Sequence, residues 1–417
     1  MAIKMDGRQA YNTMHHQRPP PVLSRRLAPL LGLLMGLSCA PLLAAPYTPT
    51  QDAQVLQTLP TRANDPTARQ LAALRAALAQ APTDPAPATA LAQAYFDLAL
   101  ARGDPRYVGY AEAVVSRFKA ALPAPLLTLR GVLRQYRHDF AGGLQDFAAA
   151  LALDPDYAVA HAWRGAIFLV QADYDAAQKE CDALKRLGRA ALAGGCRGLA
   201  LAYSGQLQAG YNTLQTTLSQ VTDVDNRLWL LTRLGEVAAW RGQTAQAQAH
   251  YREALSLGQD DVYLLAAWSD FLIDAGQPAE VVRLLTNWTS ADSLLLRLAE
   301  AETTLRLPAA AGHRQMLADR FAAARERGDT THRAEEARFE LRLRHDPATA
   351  LRLAQANYAV QREPRDARVL LEAALAAKTP AGAQPALDWL QRNGFEDARL
   401  RQLAQSLAPT RPAGGTP

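Results

Sequence analysis

The side chains that most often do chemistry are few in this chain and widely spaced. Beyond residue 45 there are two cysteines, Cys181 and Cys196, and six histidines, His138, His161, His250, His313, His332 and His345. A redox dithiol would need the close Cys-x-x-Cys turn, which is absent. There is no His-Glu-x-x-His pair, no phosphate-cradling glycine loop ending in lysine, and no Gly-x-Ser-x-Gly elbow. Cysteine and histidine are too scattered for a zinc site. His138 falls at a helix end and His250 just before an aromatic, so both read as structural or surface residues. The expectation is no catalytic residue, no metal and no cofactor. Only an active site assembled from distant residues would escape this reading.

What does recur is a pattern of small and aromatic residues. Gly131 is followed by Phe140, Gly143, Phe147, Ala150 and Pro155. Gly165 comes 34 residues later and Gly198 another 33, with Gly210 and Leu214 behind it. Gly235 follows after 37, with Gly242, Ala247 and Tyr251, and Ser269 after another 34. Period and pattern together resemble the tetratricopeptide repeat. The resemblance implies an all-α fold, a right-handed superhelical solenoid of antiparallel helix hairpins. Small residues at the eighth and twentieth positions let the two helices of a hairpin approach. Phe147 and Tyr251 fill grooves between hairpins. Gly205, Gly242 and Gly276 stand where a first helix must end, since glycine readily takes positive φ.

The repeat frame gives the cysteines a setting. Cys181 lies inward on the second helix of one hairpin, and Cys196 on the first helix of the next. Those helices should pack together, so the two form either a structural disulfide, if the compartment is oxidising, or a pair of buried thiols.

The family's ligand-facing positions, carried over, fall on Tyr136, Leu169, Tyr203, Trp229, Glu236, Trp240, Tyr263 and Asp270. Arrays that clamp a C-terminal carboxylate use Lys, Arg and Asn there. Here the stripe is aromatic, and it predicts an apolar concave groove for a protein or peptide partner. The alternative is that the superhelix winds tightly enough for its own C-terminal helices to fill that groove.

Charge and order along the chain set the rest. The 417 residues carry a formal net charge of +5. The first 45 hold Lys4, Arg8, Arg18, Arg25 and Arg26 against Asp6 alone, so the remainder is close to neutral. A nucleic-acid footprint is therefore not expected. Arg25 and Arg26, the apolar run from Leu27 to Leu37 and the small residues up to Ala45 have the layout of a secretory signal. Residues 1–45 read as that signal with an extended N-terminus, 46–64 as a linker, and 65–123 as a degenerate helical repeat. The repeat array spans 124–290, degenerate repeats and a cap span 291–408, and 409–417 is a disordered tail. The charge-rich stretch 309–345 reads as a solvated helix surface. No span follows the signal that could cross a membrane.

The resulting expectation is a periplasmic or secreted scaffold. Its rivals are an envelope enzyme or enzyme-assembly factor with a helical-repeat body, and a lipoprotein anchored to the outer membrane through Cys39.

Overall fold

The computed structural model describes Gln51, Gln54 and residues 65–119 and 122–408. Residues 1–45, read above as a signal, nearly all of 46–64, read as a linker, and 409–417, read as a tail, lie outside the described residues, Cys39 among them. The chain divides into two units between Gln70 and Leu71. In the smaller, Asp65 begins α1 (Pro66–Gln80), its carboxylate accepting the Thr67 amide at 2.9 Å. The larger unit runs from Leu71 onward and carries the rest of α1 and every other helix.

That unit is helical, with no strand among the described residues. Antiparallel pairs follow one another: α2 (Pro85–Arg102) with α3 (Arg106–Val115), α4 (Ala124–Tyr136) with α5 (Phe140–Leu153), and α6 (Ala158–Val170) with α7 (Tyr174–Arg186). Next come α8 (Ala190–Tyr203) with α9 (Leu207–Leu218), α10 (Val224–Trp240) with α11 (Thr244–Ser256), and α12 (Val262–Asp274) with α13 (Pro278–Leu285). Then α14 (Asp292–Thr304) pairs with α15 (Ala310–Glu326). Helix α16 (Arg333–Phe339), continued by a π-helical turn over Glu340–Arg344, pairs with α17 (Pro347–Tyr358). The chain closes with α18 (Pro364–Ala376), α19 (Gln384–Asn393) and α20 (Ala398–Leu407).

The repeated small residues act through distance. A β-carbon on Gly131 would lie 2.6 Å from the Phe147 ring, one on Gly198 2.6 Å from Leu214, and one on Gly235 2.7 Å from the Tyr251 ring. Each hairpin thus closes a large side chain over a bare backbone, which is the density a core requires. Aspartates start many helices: Asp139, Asp173, Asp223 and Asp261 each accept an amide of the first turn. Gly205, Gly242 and Gly276 do take positive φ after α8, α10 and α12. In the two preceding repeats His138 and Ala172 hold the same left-handed conformation, both at φ 61°.

Pro364 is the first residue of α18, where its missing N–H costs nothing. Met316 faces outward and Leu317 takes the buried position. The stretch 309–345 is not simply solvated, because Glu336, Arg338 and Glu340 turn inward. The π-helical turn after Phe339 shifts the phase of α16, so a plain helical wheel misplaces this segment.

The stack also meets itself. A β-carbon on Gly103, at the end of α2, would sit 2.7 Å from the Ala291 β-carbon before α14. The first described hairpin of the unit therefore touches the sixth and seventh.

Candidate functional site

The inner face of the stack is the candidate site, and it falls into a covered part and an open part. In the covered part Leu169 is fully buried and Tyr203 nearly so. The Tyr203 hydroxyl donates to Glu363 Oε1 at 3.4 Å, and its ring meets Tyr174 and Trp240. Trp240 in turn packs edge-on against Phe395, with ring centres 5.6 Å apart. The Arg362 amide donates to the Val170 carbonyl at 2.6 Å, and Trp389 Nε1 donates to the Tyr174 hydroxyl at 2.8 Å. Residues 361–395 therefore occupy the groove beside α6, α8 and α10.

Trp229 lies elsewhere. Its ring covers Gly195, where no β-carbon would fit, so it packs α10 on α8. Its indole N–H has no partner among the described residues.

Tyr136, Tyr263 and Asp270 line an open cavity of about 660 Å³. The wall also includes Phe96, His138, Arg297, Arg338 and Glu335. Tyr136 stands edge-on to Phe96 at 6.1 Å, and burial pushes its phenol up to about 12. Burial likewise lowers His138 to about 4, so its imidazole is neutral at physiological pH.

Glu236 supports this wall. It takes the Tyr263 hydroxyl on Oε1 at 2.6 Å and Arg233 Nη1 on Oε2 at 2.8 Å. Arg233 is almost wholly buried and stacks 4.1 Å from the Tyr263 ring centre; Arg365 lies 5.4 Å from the same ring. Neither arginine is marked by the repeat frame, although Arg233 and Glu236, three apart on one helix, carry a local signal.

Asp270 accepts Arg297 and Arg338, each at 2.6 Å, and the two guanidinium groups hold its carboxyl far below the usual range despite burial. An alternating chain of charge continues from it. Arg338 also bonds Glu300 at 2.6 Å; Glu300 lies 3.9 Å from Arg342, which bonds Glu372 at 2.6 Å. Glu372 bonds Arg368 at 2.8 Å, and Arg368 bonds Asp274 at 2.7 Å. The chain ties α12, α14, α16, its π-turn and α18 together.

Cys181 and Cys196 are joined in a disulfide, with Cα atoms 5.5 Å apart, which fixes α7 to α8. No group of three or more His, Cys, Asp or Glu among the described residues could hold a metal ion. Nor is any helix among them long and apolar enough to cross a membrane.

No protein-family model and no curated protein matches the sequence. Solved structures do. Yeast Tom70 is 12% identical over 82% of this chain and 85% of its own, with a TM-score of 0.43. The Cut9–Hcn1 hetero-tetramer of the APC/C is 12% identical over 82% of this chain, with a TM-score of 0.38; this chain spans 52% of that one. The C-terminal part of a TPR repeat-containing protein from Cytophaga hutchinsonii is 16% identical over 59% of this chain and 94% of its own, with a TM-score of 0.31. The paired helices and their in-phase glycines define an all-helical solenoid resembling tetratricopeptide-repeat domains.

Proposed function

We propose that this is a non-catalytic binding and scaffolding protein, exported to the periplasm, that takes a protein or peptide partner on its inner face. The observation that carries the reading is the open cavity walled by Tyr136, Tyr263 and Asp270, three of the residues singled out by repeat position. The aromatic stripe around Tyr203 and Trp240 is covered by the chain's own C-terminal helices, which leaves the cavity as the accessible part of the inner face. Tyrosines beside satisfied ion pairs make a wall that is rigid before a partner arrives, which lowers the ordering cost of binding.

The test is affinity capture from envelope extracts with wild type, Tyr136→Ala and Tyr110→Ala, each first shown to be folded by circular dichroism. Tyr110 is exposed and lies outside the cavity wall. The reading expects a partner held by wild type and Tyr110→Ala and lost by Tyr136→Ala. Retention by the folded Tyr136→Ala protein rejects it. Export is checked by the mass of the mature N-terminus, which separates cleavage after Ala44 or Ala45 from lipid attachment at Cys39.

A further inference from the structure

We propose that the cavity binds an organic cation, an ammonium or guanidinium group, with Glu335 as its counter-ion. This rests on the reading of the inner face as the binding surface and adds the chemistry of what enters it.

The first observation is size. A cavity of about 660 Å³ falls within the range of about 300–1,000 Å³ seen for small-ligand sites.

The second is what the wall leaves unpaired. Arg297 and Arg338 are bound to Asp270, Arg365 to Glu363 at 2.7 Å, and Arg368 to Asp274 and Glu372. Arg327, which has no such partner among the described residues, is exposed at the end of α15. Glu335 is the opposite case. It sits half-buried in the first turn of α16, and its carboxylate accepts only its own backbone N–H among the described residues. Burial opposes its charge, but the guanidinium groups of Arg365 and Arg297 act on it without a hydrogen bond and favour its ionised form. A carboxylate in such a wall has lost part of its hydration and gained no direct partner. That is costly unless a cation completes it.

The third is the surroundings. The Tyr136 hydroxyl finds no hydrogen-bond partner among the described residues, and His138 is neutral, so neither repels a positive group. The half-buried Tyr136 ring adds an aromatic face, to which a cation is attracted. An anion would meet Glu335 and find the inner guanidinium groups already taken. Recruiting one would strip a charged partner from Asp270 or Glu363.

The same chemistry could arrive as a free amine or as a lysine or arginine side chain of a peptide. Calorimetric titration of the full chain would use three probes: agmatine, an end-blocked Gly-Lys-Gly peptide and glutarate. Wild type should bind at least one of the two cations and not glutarate, and whichever cation binds identifies the source. Glu335→Gln should weaken that binding about tenfold or more, the loss expected for a charged hydrogen bond. Tyr136→Phe should weaken it by a smaller factor, and Asp225→Asn, on the exposed start of α10, should leave it unchanged. The inference is overturned if neither cation binds wild type, if glutarate binds as well as they do, or if folded Glu335→Gln binds like wild type. The cation-against-anion comparison needs no variant, so it decides even if Glu335→Gln is unstable. If Tyr136→Ala loses a captured partner while wild type binds no cation, the cation reading falls and the inner-face reading stands.

Discussion

Gly205 is where two distant stretches of backbone touch. It has φ +90°, and a β-carbon there would overlap the carbonyl oxygen of Asn393. Gly188, at φ +69° with nothing near it, is the natural control. Gly188→Ala should cost about 1–2 kcal/mol, the penalty of a left-handed conformation. Gly205→Ala should cost more, because Asn393 and the helices behind it must move. Urea denaturation of the two variants measures the difference. Asp366 offers a second test at this scale. It is buried among Asn357, the Glu363 amide and the Glu363 carboxylate, and burial raises its pKa to about 7. The folded state then holds the proton more tightly than the unfolded chain, so Asp366 weakens the fold as pH climbs from the ordinary carboxylate value through about 7. His138 acts in the other sense, its lowered pKa favouring the fold as pH rises above about 4. Asp366→Asn should therefore gain on wild type between pH 5 and pH 8 in thermal melts. An equal difference at both pH values would refute the assignment.

At the scale of elements, the hairpins were legible because their causes are local. Gly131 and Phe147 are sixteen residues apart and meet within one hairpin, as do Gly235 and Tyr251. A period in the chain can report such contacts directly. The ionic chain was not legible, since Asp270 and Arg338 are separated by 68 residues and meet only once the stack has curved. The same holds for Glu335, which looked like one charge among many in a solvated stretch. Arg338 sits at the junction of the network, bonded to both Asp270 and Glu300 and largely buried. Arg338→Ala leaves two carboxylates short of their partner in a low-dielectric setting. The expected loss is about 3–5 kcal/mol, read by thermal or denaturant unfolding. A loss below about 1 kcal/mol, the range of exposed pairs, would mean that the network is solvated after all.

The whole molecule behaves differently from an open array, in which each repeat answers only to its neighbours. Repeat position placed Tyr203 and Trp240 on the concave side, but their cover comes from residues 361–395. No repeat frame carries that information, because it depends on how tightly the superhelix winds. Trp389 is the clearest link: nearly fully buried, hydrogen-bonded to Tyr174 and packed on Phe395 with ring centres 5.0 Å apart. Trp389→Ala should cost about 3–5 kcal/mol. Its effect should appear in hydrogen exchange of α6 and α8 as strongly as in α19. Loss of protection confined to α19 and α20 would show that the two regions are energetically independent. The contact between Tyr174 and Trp389 also spans 215 residues. At about 5–20 residues per second, the interval between making the two is at least about ten seconds. For that time the nascent chain has made one side of its own core and not yet the other. A late-lying substitution such as one at Trp389 or Phe395 is thus felt first by the early helices, as aromatic surface left waiting for a lid.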